Sequence, residues 1–296
     1  MTEQAALLAL LRERRGGWAA VADDVESCGS AFAVLKAEAH GVGQGDLFPQ
    51  NDPGSLEQRL QTARKAIWEW KAQGLKLISL LDDAYPAQLL TIHQRPPFLF
   101  YRGRLEPTDA GGVAVVGTRN PSGRGLDQAT GIAAGLAGRG VTVISGLAAG
   151  IDTAAHTGAL QAGGRTVAVI GTGLLTHYPA ENRRLQDRIG SEHLLLSQFW
   201  PEAGPTRSSF PMRNAVMSGY AAATVVVEAA YRSGARMQAR LALEHGRPVF
   251  LLDTLLEHDW ARGYARRPGT YVVRDAGEVL AALDEVLAPP GELVWA

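Results

Sequence analysis

The stretch from Val143 to Leu160, VISGLAAGIDTAAHTGAL, holds Ser145, Asp152 and His156. A serine, an acid and a histidine are the residue types of nucleophilic hydrolysis, in which an imidazole takes the hydroxyl proton and a carboxylate orients the ring. The spacing argues for something plainer. A nucleophile elbow reads G-x-S-x-G, whereas Ser145 follows Val143 and Ile144. Asp152 and His156 stand four apart, on one face of a helix, and an acid in the first turn is an ordinary cap or dipole partner. On this reading Ser145-Gly146 turns the chain, Asp152 starts the helix and His156 braces it one turn on. The amides of Gly146 and Gly150 are left as donors for an anion.

Other catalytic sets are missing from the sequence. The seven histidines are scattered, with no H-E-x-x-H or C-x-x-C, and Cys28 is the only cysteine. An internal disulfide and the usual thiolate zinc sites are thereby excluded. No metal and no cofactor is expected. Glu228 ends a strand-like run without a second carboxylate, which is weak ground for acid–base catalysis.

The elements that would position these residues follow from hydrophobic patterning. Strand-like runs occur at VAVVG (113–117), VTVISG (141–146), TVAVIG (166–171), LLLSQF (194–199), ATVVVEA (223–229) and PVFLL (248–252). Most are continuous and β-branched, as in strands buried on both faces. Helix candidates fall near 124–138, 151–162, 180–190, 212–220 and 235–245, and YVVRDAGEVLAALDEVL (271–287) adds a last strand and helix. Such alternation predicts right-handed βαβ units: an α/β, Rossmann-like, doubly wound and mostly parallel sheet. Ahead of it, residues 2–15 read as an amphipathic helix, Trp18 to Leu35 as a second apolar pattern and Leu56 to Gln73 as a helix capped by Ser55. The Gly- and Pro-dense residues 40–55 read as a linker. The expected division is a small helical domain at 1–75 and the Rossmann-like domain at 76–296.

In an open α/β sheet, ligands bind beyond the carboxyl ends of the strands. After the first strand, GTRNPSGRG offers Gly117 for a tight turn, Thr118 and the following amides for an anion, and Arg119 as a clamp. It matches neither G-x-G-x-x-G nor a P-loop. Ser145 and Gly146 follow the second strand. Asn182, Arg183 and Arg184 open a helix after the third, where His177 and Tyr178 are candidates to stack on a base. The long segment after the fourth brings Arg207, Ser208, Ser209, Arg213 and Asn214, donors suited to phosphates or base edges, with Phe210 read as a buried anchor or a stacking platform, burial being favoured. Ser233-Gly234 opens the helix after the fifth.

Charge supports this assignment locally. The whole chain carries a net −1, but residues 111–250 hold 13 Arg, no Lys and 8 acidic residues, which gives +5. Arginine is the better planar, bidentate phosphate binder. No apolar run is long enough for a membrane span and no signal-peptide pattern opens the chain, so a cytoplasmic protein is expected.

Taken together, VAVVGTRNPSGRG, VISGLAAGIDTAAHTGAL, AVIGTGLLTHYPAENRRL, SSFPMRN and VVVEAAYRSGARMQARLALEHGRPVF resemble, in order and spacing, the DNA-processing protein A family (DprA, also called Smf). The lead-in ISLLDDAYPAQLLTIHQRPPFLFYRGRL matches as well. The N-terminal residues resemble, more weakly, the family's small helical, SAM-like domain. The resemblance implies a modified Rossmann domain that binds single-stranded DNA, protects incoming strands in natural transformation and hands them to the recombinase, without enzymatic activity. It implies a homodimer, and a basic pocket at Arg119, at Asn182, Arg183 and Arg184, and at Arg213-Asn214. Three motifs depart from the family: Arg213-Asn214-Ala215 for R-N-R, Ser233-Gly234-Ala235-Arg236 for S-G-S-L, and Leu251-Leu252-Asp253 for V-P-G. No C-terminal winged helix is expected. The rival readings are a sensor of a small nucleotide and a phosphoribohydrolase. The phosphoribohydrolases' P-G-G-x-G-T-x-x-E signature has no counterpart in YRSGARMQAR.

Overall fold

The computed structural model describes residues 2–13, 18–41, 55–231 and 233–287. Most of the expected linker lies outside the described residues. The chain divides into two compact units, Met1–Arg102 and Gly103–Ala296.

The first unit opens with α1 (Thr2–Glu13), α2 (Trp18–Cys28), α3 (Ala31–Gly41) and α4 (Leu56–Ala72). The apolar run from Trp18 becomes two helices because Gly29, at φ 69°, breaks it. Ser55 caps α4 through the Gln58 amide, and the Gln58 side chain answers to the Ser55 amide, a reciprocal capping box. Leu7, Leu10, Val21, Val25 and Leu35, all at 0–1% exposure, form the helical core. Strands β1 (Lys76–Ser79) and β2 (Phe98–Gly103) pair antiparallel, on either side of the short α5 (Ala87–Leu90). Both strands lie within the first unit, which ends at Arg102.

The second unit carries seven strands: β3 (Val113–Val116), β4 (Val143–Ser145), β5 (Thr166–Val169), β6 (Leu194–Ser197), β7 (Ala223–Val226), β8 (Val249–Leu252) and β9 (Thr270–Val273). Their order is β6-β5-β4-β3-β7-β8-β9 and every pairing is parallel. Six of the seven are buried along their whole length, which is why they read as unbroken apolar runs. The connecting helices are α6 (Gly123–Gly138), α7 (Ile151–Gln161), α8 (Arg183–Glu192), α9 (Ser209–Tyr220), α10 (Gly234–Glu244), α11 (Asp259–Ala265) and α12 (Ala276–Val286). α6 packs on α7 and α12, and α9 packs on α10. The chain winds from β3 outward to β6, returns to β7 beside β3, and winds the other way. Such a reversal opens a crevice at the carboxyl ends of the two central strands.

At the opposite, amino end of this sheet Asp109 is fully buried and accepts from Arg165 Nε at 2.6 Å, Thr142 Oγ1 at 3.1 Å and Tyr220 Oη at 3.0 Å. A buried carboxylate this well partnered serves the scaffold.

Candidate nucleic-acid interface

The crevice is a cleft of about 360 Å³ lined by the loops after β3 and β7 and by α9. Gly117, Thr118 and Arg119 face Arg213, Asn214, Ser233 and Gly234 across it. A second cleft of about 140 Å³ adjoins it, sharing Arg119, Ala148, Phe210 and Arg213, and adding Gly146, Tyr178 and Glu181. Loops from five strands thus meet at one place.

The rim between the clefts is aromatic and cationic. Arg119 is exposed, and its guanidinium lies 5.2 Å from the centroid of the Phe210 ring. The Tyr178 ring stands 5.6 Å from Phe210 at a tilt of 45°. Phe210, for which the sequence favoured a buried anchor over a stacking platform, is half-buried. Its exposure is set by Arg119 and Tyr178, which come from other loops.

Beneath the rim lies Arg213, at 6% exposure. Its Nη1 donates to the carbonyls of Gly146 and Val169, the latter at 2.9 Å, and its Nε to Asn214 Oδ1 at 2.9 Å. It ties the ends of β4 and β5 to α9, while Nη2 has no bond among the described residues. A Cβ on Gly146 would fall 2.1 Å from Nη1, so glycine is needed there for space. Gly117 is equally crowded: a Cβ would meet Ile151 at 2.4 Å.

The Ser145, Asp152 and His156 set does not form a relay. Ser145 Oγ donates to the Val115 carbonyl at 2.7 Å. Asp152 accepts from the amides of Gly146 and Ala148 at 3.2 and 3.3 Å. It sits in the first turn of α7, at the helix start where the sequence reading put it, while the cap position itself belongs to Gly150. Burial pushes the Asp152 carboxyl up, against the pull of Arg213 and of these amides. Burial likewise pushes the Arg213 guanidinium down, with Asp152 opposing and Arg119 adding to the shift. His156 is bonded through Nδ1 to Thr166 Oγ1 at 2.7 Å rather than to Asp152. Thr166 donates its own proton to the Val143 carbonyl, so Nδ1 carries the imidazole hydrogen. Nε2 is buried without a partner, and burial lowers the imidazole to about 3.

The α6 N-terminus is also filled from within. Glu228 accepts from Ser122 N at 3.1 Å and from Ser122 Oγ at 2.9 Å. The Ser122 amide, expected to face an external anion there, faces this carboxylate instead. It is the role that the sequence reading of Glu228 did not find.

The remaining candidates divide by accessibility. Asn182 is buried, donating to the Leu147 carbonyl at 2.9 Å and Thr153 Oγ1 at 2.8 Å. Ser209 is buried and exchanges bonds with Thr206 to start α9. Asn214 donates to the Gly234 carbonyl at 3.2 Å, and Ser233 caps α10. Arg183 is exposed and 4.0 Å from Asp187, which also holds His177 at 2.8 Å. Arg184 is exposed, with no side-chain bond among the described residues. Neither Arg183 nor Arg184 lines either cleft.

The chain matches the family model for DNA recombination-mediator protein A over residues 76–284. It is 41% identical over 241 residues to DNA processing protein DprA of Streptococcus pneumoniae, covering 81% of this chain and 85% of that one. The X-ray structure of DprA from Streptococcus pneumoniae superposes with a TM-score of 0.74 at 33% identity, covering 95% of this chain and 98% of that one. DNA processing protein A from Helicobacter pylori, solved for its single-stranded DNA binding mode, shares the fold with a TM-score of 0.63 at 24% identity, covering 71% and 96% of the two chains. With its crevice built at the reversal of a doubly wound sheet and its sequence matched across that whole sheet, this chain belongs to the DNA recombination-mediator protein A family.

Proposed function

We propose that the chain binds single-stranded DNA in the crevice, without a catalytic step, and acts as a recombination mediator that protects incoming strands and loads a recombinase during natural transformation. The observation that carries this reading is the rim: Arg119 over Phe210, with Tyr178 alongside, above two adjoining clefts. Aromatic platforms beside cations bind single strands with little sequence preference, because every base has a π-face and every nucleotide a phosphate. Arg119, the Thr118 hydroxyl and Ser233-Gly234 at the start of α10 supply polar groups along the larger cleft, and Gly117 gives the close turn beside them. Arg183 and Arg184 extend the positive surface, and Asn182, Ser209, Arg213 and Asn214 hold the loops in place.

The non-enzymatic reading is supported by the partners of Ser145, Asp152 and His156, which engage other groups than one another. Against a mononucleotide-binding role stands Glu228, whose carboxylate takes the helix N-terminus where a nucleotide phosphate would rest. A homodimer working in the cytoplasm completes the proposal. Among the described residues no helix is long and apolar enough to cross a membrane.

The test is a titration of labelled single-stranded oligonucleotide and of a mononucleotide panel at two salt concentrations. The proposal requires oligonucleotide binding that weakens steeply with salt. Tight mononucleotide binding with no preference for oligonucleotides would overturn it.

A further inference from the structure

Beyond the crevice, the loop after β7 carries a second aromatic–cation pair. Tyr231 follows Ala230 in that loop and is 62% exposed. Arg236, in the first turn of α10, places its guanidinium carbon 4.5 Å from the ring centroid and donates through Nη1 to the Tyr231 carbonyl at 3.3 Å. The cation covers one face of the ring and ties its backbone, which leaves the ring presented to solvent. Ala230, Ser233, Gly234 and Ala235 line the larger cleft, so the pair begins where the cleft ends.

We infer that Tyr231 and Arg236 form a second stacking station, which takes one nucleobase of a strand leaving the crevice on the β7 side. The inference rests on the single-stranded DNA reading. Tyrosine supplies flat area with little rotamer freedom to lose, and the guanidinium, which also bonds Tyr264, polarises the ring and brings positive charge beside the adjoining phosphate. The first station, at Phe210 and Tyr178, stands where the two clefts adjoin. A strand engaging both would cover more nucleotides than the clefts alone accommodate.

The experiment is a length series of oligothymidines spanning the roughly 4 to 16 nucleotides that single-strand folds cover. It is run with the full chain and its Tyr231→Ala, Tyr231→Phe and Arg236→Ala variants. Tyr231→Ala is expected to lose about 5- to 30-fold in affinity, the equivalent of one stacked base, on the longer oligonucleotides and nothing on the shortest. Tyr231→Phe is expected to bind as wild type. A 5-iodouracil placed toward one end of the strand is expected to photocrosslink to Tyr231. Wild-type affinity of Tyr231→Ala at every length, or an equal loss at every length, would overturn the station and leave crevice binding intact. Absence of binding by the wild-type chain at all lengths would remove the single-stranded DNA reading, and this inference with it.

Discussion

Asn182 Nδ2 donates to the carbonyl of Leu147 at 2.9 Å, and Leu147 is the one non-glycine residue held at positive φ, 58°, among the described residues. Leu147 is fully buried, and the neighbouring Gly146 carbonyl is held by Arg213. The loop after β4 is thus clamped in a left-handed conformation, which costs about 1 to 2 kcal/mol for an L-residue, by side chains from two later segments. Asn182→Ala leaves the Leu147 carbonyl unpaired in the interior and is expected to destabilise the fold by about 2 to 3 kcal/mol. Urea unfolding reads this as a lower midpoint. The salt dependence of DNA binding is expected to stay as it was, since Asn182 donates inward. An unchanged midpoint would show that the clamp is dispensable.

Glu228 joins the end of β7 to the start of α6. Removing its carboxylate in Glu228→Ala strips Ser122 N and Oγ of their acceptor and the helix N-terminus of its anion, a loss of about 1 to 2 kcal/mol. Glu228→Gln keeps the shape and an acceptor oxygen, and is expected to lose less. Thermal denaturation of both variants gives the order wild type, Gln, Ala; equal stability of all three would contradict the capping role.

His156 makes stability depend on pH. Its folded value, lowered to about 3 by burial, lies below the ordinary 6.5. Between those values the unfolded chain binds a proton that the folded chain does not, so acid favours unfolding. Stability is complete above about pH 6.5 and is lost toward pH 3, with a slope from this residue of about 1.4 kcal/mol per pH unit. Chemical unfolding of wild type and His156→Asn at several pH values isolates that contribution. The variant is expected to start less stable and to show a shallower decline. Parallel declines would place the acid sensitivity elsewhere.

Two glycines separate space from propensity. Gly146→Ala puts a methyl group into the Arg213 guanidinium and is expected to destabilise by about 2 to 3 kcal/mol, as overpacking does. Gly131, exposed in the middle of α6, has nothing within 4 Å of an added Cβ. Gly131→Ala is expected to stabilise by about 0.5 to 1 kcal/mol through helix propensity. A stability gain in both variants would mean that the Arg213 site has room to spare.

The parallel sheet was legible because strands buried on both faces carry no polar alternation to confuse the pattern, and because Gly117, Gly146 and Gly171 mark the turns after three of them. Helix α11 was missed, being seven residues long with Asp259, Arg262 and Gly263 interrupting its apolar positions. Side-chain availability was the harder part. Arg119 and Arg213 look alike in sequence, yet one is exposed over an aromatic ring and the other is buried among carbonyls. Asn182 and Ser209 are polar residues at helix starts, as donors to a phosphate would be, but their partners are Leu147, Thr153 and Thr206, fixed only once the loops pack. For Phe210 the sequence left a buried anchor and a stacking platform both open, and the choice depends on Tyr178 and Arg119, which come from other loops.

The central claim is that the Arg119–Phe210 rim holds a single strand. Fluorescence anisotropy with a labelled oligothymidine, for wild type, Arg119→Ala and Phe210→Ala across a salt series, tests it most directly. Arg119→Ala is expected to weaken binding to all sequences alike and to reduce the salt slope by about 1, as loss of one phosphate contact does. Phe210→Ala is expected to lose about 5- to 30-fold with the slope unchanged, as loss of stacking does. Wild-type affinity and slope in both variants would contradict the account.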